Sequence, residues 1–224
     1  SVADNMARGI EIFLDLVYPP SSFEFKLRRL STEEIASRSR ALEPIKIAGV
    51  EMVHPIFRYE DEFIRAMVWA LKFDGSKRAA RLMADLLREE LLEELSEASI
   101  WRNFKNPLLV PIPLSKKRLR ERGFNQTERV AKIMSDIDGG MSFILASDVL
   151  YKIKDTESQV KIKDRKLRMK NLDGVFAVKS AERVKRRDII LLDDVITTGS
   201  TIKEASKVLK EAGAGKIMAL SFAH

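Results

Sequence analysis

Two adjacent carboxylates, Asp193 and Asp194, stand just ahead of four hydroxyl side chains, Thr197, Thr198, Ser200 and Thr201, gathered around Gly199. An ionised carboxylate only accepts hydrogen bonds, so an acidic pair suits the hydroxyls of a sugar. Hydroxyls and a glycine at the start of a helix suit a phosphate, because the first helical amides are unpaired and carry partial positive charge. Side by side, the two halves of the segment describe a site for a phosphorylated sugar. An ordinary capped helix needs one Ser or Thr at its N-cap, fewer hydroxyls than are present. The Gly-Lys-Ser/Thr signature of a phosphate-binding P-loop is absent. The three spaced glycines of a dinucleotide fold are absent too.

The flanking pattern says what must position this segment. Asp188 to Leu192 is a continuous apolar strand, Ile202 to Ala212 a helix closed by Gly213, and Lys216 to Ala223 the next strand. Strand, helix, strand in this order predicts a right-handed parallel crossover, hence an α/β domain with ligand at the carboxyl ends of its strands. Upstream, Leu108 to Ile112 reads as a buried strand and Gln126 to Ile137 as a helix. Between them Pro113 to Asn125 reads as basic and irregular. Asp148 to Ile153 and Val175 to Val178 read as strands on either side of a long polar loop, Lys154 to Gly174; a loop of that length in a compact domain is usually functional. Helices are expected over Ile10 to Val17, Glu60 to Phe73 and Ser76 to Leu95, the second stopped by Asp74-Gly75. Ser21 to Val53 has weak periodicity and reads as an irregular cap. The expected organisation is therefore a cap region over 1–55 and an α/β domain over 56–224, its mostly parallel central sheet flanked by helices.

Composition excludes several chemistries. The 224 residues include no cysteine, which removes disulfides, thiolate catalysis and cysteine zinc sites. His54 and His224 are the only imidazoles, and His54 stands alone in its segment, so no zinc is expected. No apolar run approaches the roughly 18 residues of a membrane span, and an intracellular, cytoplasmic protein follows. Charge is uneven: residues 1–100 hold 14 basic and 18 acidic side chains, residues 101–224 hold 26 and 15. A positive C-terminal part attracts phosphates, whether of a nucleotide, a sugar phosphate or nucleic acid, although a salt-bridged surface would show the same excess.

The run Ile189 to Thr201 resembles the signature of type I phosphoribosyltransferases, and more of the chain narrows the likeness. Val110-Pro111-Ile112-Pro113-Leu114 followed by Arg118 to Gln126 resembles the ComF family of competence-associated phosphoribosyltransferase-like proteins, GntX among them. Thr156, Gln159, Arg165, Asn171, Gly174 and Phe176 fall at the spacing of that family's next block, and Leu71-Lys72-Phe73-Asp74-Gly75 resembles its upstream helix end. The likeness runs from about Tyr59 to His224, with a weaker echo in Leu16 to Pro20. It lacks the cysteine zinc module many relatives carry near the N-terminus.

The resemblance implies a type I phosphoribosyltransferase fold. It also implies binding of phosphoribosyl pyrophosphate (PRPP) with Mg2+ held through the ligand. Asp193 and Asp194 would meet the ribose hydroxyls. Thr197, Thr198, Gly199, Ser200 and Thr201 would hold the 5-phosphate. Leu114, Ser115 and Lys116, with Arg118, Arg120 and Arg122, would face pyrophosphate; a solvated helix face is the alternative for the arginines. Asn125 and Gln126 would pack or face an acceptor. The 154–174 loop would act as a lid, with Gln159, Arg165 and Arg168 its contacts. The implied activity is phosphoribosyl transfer to an acceptor that the sequence leaves open, as it does the oligomeric state. The alternative is a DNA-uptake adaptor that binds single-stranded DNA or a helicase and keeps the PRPP site as a sensor. Aromatic side chains are sparse in the basic segment for that second role.

Overall fold

The computed structural model describes residues 22–38, 45–97, 104, 107–153 and 174–224. The expected N-terminal helix, the echo at Leu16 to Pro20, Gln159, Arg165, Arg168 and nearly all of the expected lid lie outside the described residues.

Five strands form one parallel sheet in the order β1 (Met52–Phe57), β7 (Ile217–Ala223), β6 (Ile189–Val195), β2 (Leu108–Pro111), β3 (Ile144–Leu145). The expected α/β architecture is the observed one. Central strand β6 is apolar on both sides because helices cover both faces: Ile190 and Leu192 pack into one hydrophobic cluster, Ile189 and Leu191 into the other. The first cluster lies under α3 (Glu62–Trp69), α4 (Lys77–Glu97) and α6 (Gln126–Asp138). The second lies under α8 (Ser200–Glu211) and takes in Val149, Leu150, Val175 and Phe176 from a separate antiparallel pair, β4 (Leu150–Lys152) and β5 (Phe176–Val178). Short helices α1 (Ser22–Arg29) and α2 (Thr32–Ala36) bring Leu27 and Ile35 into the first cluster, and α7 (Ala181–Val184) precedes β6.

Three differences from the sequence pattern have local causes. The basic stretch expected to be irregular contains helix α5 (Lys116–Arg122), capped by Ser115, which accepts from the Arg118 amide at 3.3 Å, and closed by left-handed Gly123. None of its residues is buried, so it has no apolar stripe to read. The helix expected over Glu60 to Phe73 is α-helical only to Trp69 and then widens into a π-turn, Ala70–Asp74, ended by left-handed Gly75. Strand β1 was not legible at all. It is an edge strand interrupted by Pro55, paired only to β7, and edge strands are where proline is tolerated.

Candidate functional site

Every strand of the main sheet runs the same way, so Pro111, Val195 and Ala223 end on one rim. From β2 the chain goes out through α6 to β3; from β6 it goes the other way to β7. The gap between β2 and β6 is thus a topological switch point, where open α/β sheets place ligands. The β2–α5 connection carrying Leu114 to Arg122 and the β6–α8 connection carrying Asp193 to Thr201 face this gap from neighbouring strands.

The β6–α8 turn is tightly built. Gly199 has φ 72°, and a Cβ there would meet Ile47 Cδ1 at 2.5 Å. The positive φ is what demands glycine; the tip of Ile47 would also have to shift for a larger residue. Gly199 is also the N-cap of α8 and, lacking a side chain, makes no cap hydrogen bond itself. Thr198 Oγ1 and Ser200 Oγ are 2.8 Å apart, Thr197 is exposed, and Thr201 is half-buried. The neighbouring Ser206 hydroxyl donates to the Gly49 carbonyl at 2.7 Å, so the 45–50 segment is tied to α8 directly below the turn.

The acidic pair is divided in its roles. Asp194, only 8% exposed, has both oxygens engaged: Lys72 Nζ lies 3.0 Å from Oδ1, and Gln126 Nε2 donates to Oδ2 at 2.7 Å. Asp193 accepts from the Asp194 amide at 2.9 Å. Burial, reinforced by the adjacent Asp194 charge, raises the Asp193 carboxyl from its ordinary 3.8 to about 7, against the opposing pull of Lys72, the Asp194 amide and Lys152. The adjacent negative charge works with burial against ionisation of Asp193.

Other expected site residues are distributed unevenly. Ser115 is buried and spent on capping α5; Leu114 is half-buried; Lys116 and Arg120 are exposed and Arg118 half-buried. Arg122 turns inward: its Nη1 donates to Gln126 Oε1 at 3.0 Å, and burial lowers its pKa while the Asp194 charge raises it. Asn125 caps α6 and donates to the Ile112 carbonyl at 3.1 Å, a structural role. Where the long loop returns, the Gly174 amide donates to buried Glu204 of α8 at 2.7 Å.

Two features escaped the sequence reading. Lys72 reaches the acidic pair from an element far upstream; only its motif hinted at importance. Beside it, Trp69 and Phe73 expose more than half of their surface with ring centroids 4.6 Å apart, and Arg122 lies 5.4 Å over the Phe73 ring. The aromatic surface missing from the basic segment is thus supplied by α3 and its π-turn. A correction concerns His54. It does not stand alone: Nε2 is 2.8 Å from Glu90 and Nδ1 3.2 Å from Glu94 of α4, and one ligand atom from each of the three lies within 4.8 Å of the others. The two glutamates are one helical turn apart, a pairing that only the packing of β1 on α4 reveals.

No family model matches the chain. It is 31% identical to Competence protein ComFC of Streptococcus pneumoniae over 174 residues, 77% of this chain and 69% of that protein. It is 35% identical to Competence protein F of Haemophilus influenzae over 114 residues, 49% of this chain and 46% of that one. With DNA utilization protein YhgH of Escherichia coli K12 it shares 27% over 151 residues, 67% of this chain and 63% of that one. Among solved structures, glutamine PRPP amidotransferase from B. subtilis aligns with a TM-score of 0.38 at 14% identity, over 63% of this chain and 25% of that one. A hypoxanthine phosphoribosyltransferase from Staphylococcus aureus aligns at 0.33 and 18%, over 63% and 62%. The sequence relationships, with the Asp193–Thr201 turn at the sheet's switch point, place this chain in the ComFC and competence protein F family.

Proposed function

We propose that the protein binds PRPP with Mg2+ at the β6–α8 turn and transfers its phosphoribosyl group to an acceptor, releasing pyrophosphate. The observation that carries this reading is the glycine-capped start of α8, set directly after a partly buried acidic pair at the switch point. The first amides of α8, with Thr198, Ser200 and Thr201, would hold the 5-phosphate, and Asp193 and Asp194 the ribose hydroxyls. Both Asp194 oxygens and Asp193 Oδ1 already have partners in Lys72, Gln126 and an amide, so a magnesium ion would be held chiefly through the ligand and would supply charge neutralisation to the leaving group. In the transfer, the bond from the anomeric carbon to pyrophosphate breaks with its electron pair leaving on the pyrophosphate oxygen, and the acceptor's lone pair forms the new bond. Lys116, Arg118 and Arg122 would stabilise that departing charge. Calorimetric titration of PRPP with magnesium tests the site. Hydrogen bonds to charged groups contribute about 1.5–3 kcal/mol each, so the Asp193→Ala, Asp194→Ala double variant should bind roughly a hundredfold more weakly or worse. Equal affinity for both proteins would overturn the assignment. Pyrophosphate release over a panel of bases then tests transfer.

A second reading, binding of single-stranded nucleic acid, is favoured by the exposed Trp69–Phe73 pair beside basic α5. Bases stack on such rings while cations track the backbone. The names of the relatives, competence and DNA utilization, agree with it. Titration of a labelled oligonucleotide tests it directly, and absence of binding at low salt would remove it.

A further inference from the structure

Lys72 sits in the π-turn at the end of α3, where Ala70's carbonyl accepts from both the Gly75 amide and, at 3.1 Å, the Ser76 amide. Such widened turns are rare and concentrate at functional sites. This one delivers an ammonium 3.0 Å from Asp194, on an element more than a hundred residues earlier in the chain. The lysine side chain is 20% exposed and the carboxylate 8%. Surface pairing explains neither value, and a helix cap uses neither group.

We propose that Lys72 is a positioning residue of the acidic pair, aiming Asp194 from the π-turn so that the sugar hydroxyls meet a prepared pair of carboxyl groups. This rests on the PRPP reading above for the identity of the ligand, but not for the behaviour of the pair itself. The groups facing the pair are Lys72 from the π-turn, Arg122 from α5, Gln126 from α6 and Lys152 from β4. Lys72 makes the ion pair to Asp194 Oδ1 at 3.0 Å. With it in place the Asp193 carboxyl becomes an ionised acceptor as pH rises through about 7. Without it, the Lys72 charge that opposes the rise at Asp193 is gone and that carboxyl ionises later.

Carboxyl-carbon NMR of the ligand-free protein tests this. In Lys72→Met the titration of the pair should move upward by about one pH unit or more, while Lys72→Arg should stay near wild type. PRPP·Mg2+ affinity of Lys72→Met should fall about tenfold at pH 7 and recover by pH 9, since alkaline pH restores the missing charge. A lysine that merely packs would give a loss equal at both pH values, and that result, or an unmoved titration, overturns the proposal. Should Lys72→Met fail to fold, the wild-type Lys72 side-chain resonances decide: they must shift with the same titration step as Asp193, and a flat response overturns the proposal. If wild type binds no PRPP at all, the ligand assignment falls while the titration still settles the role of Lys72.

Discussion

Asp193 should make the free protein lose stability as pH rises. Its carboxyl is raised from 3.8 to about 7 by burial and by Asp194, so folding takes up a proton between those values. The unfolded chain ionises first, and the resulting penalty grows from about pH 4 and is complete above pH 7. Asp193→Asn removes it. Thermal melts should show the variant gaining on wild type between pH 5 and pH 8, and a constant gap would show that Asp193 is not held protonated. Asp194 differs in that both of its oxygens have partners. Asp194→Ala strands the Lys72 ammonium and the Gln126 amide in a largely buried place, which should cost on the order of 2 kcal/mol in denaturant unfolding. From sequence the two aspartates look equivalent. Their division of labour comes from Lys72, Gln126 and burial, none of which is readable from the spacing of the pair.

At the level of elements, the turn before α8 has little tolerance. Gly199→Ala puts a side chain on a left-handed residue and drives it against Ile47. Denaturant unfolding should show a loss of about 1–3 kcal/mol. Adding Ile47→Ala frees the space but not the backbone, so only part of the loss should return; full recovery would mean that crowding alone required glycine. Helices α4 and α6 are joined by Arg88 and Asp138, the latter fully buried, 3.8 Å apart. Asp138 also accepts from the Ser142 amide at 2.8 Å. Asp138 Oδ1 and Arg88 Nε have no hydrogen-bond partner among the described residues, so the loss in Asp138→Ala comes from the Ser142 bond and the charge left on half-buried Arg88, about 1–3 kcal/mol. Breaking the exposed Arg81–Asp85 pair within α4 should cost only about 0.3–0.5 kcal/mol. Comparable losses for the two would mean the buried pair contributes no more than a surface one. Elements with strong periodicity, such as β6, α8 and α4, were legible to within a few residues. Helix α5 was not, because its amphipathic signal is missing, and β1 was not, because a six-residue edge strand containing His54 and Pro55 resembles a loop.

Across the whole molecule, the cationic C-terminal part and the aromatic pair come from different stretches of chain but meet at one edge of the site. If single-stranded nucleic acid binds there, the two contributions separate. Charge reversal at Arg118, Arg120 and Arg122 should flatten the dependence of affinity on salt, since fewer counterions are released. Trp69→Ala with Phe73→Ala should lower affinity by about 1–3 kcal/mol per stacked base while leaving that dependence intact. Oligonucleotide titrations at several salt concentrations distinguish the two, and an unchanged affinity in the aromatic variant would remove the stacking surface. The parallel α/β plan, the glycine turn after β6 and the acidic pair ahead of it are legible in the residues alone. Those features are encoded locally, by apolar runs, a glycine that must turn left-handed and hydroxyls at a helix start. Packing of the folded chain is what brings Lys72 and Gln126 to Asp194, Arg122 over the Phe73 ring, and His54 to Glu90 and Glu94. These contacts join residues tens of positions or more apart, and it is the order of strands in the sheet that brings them together.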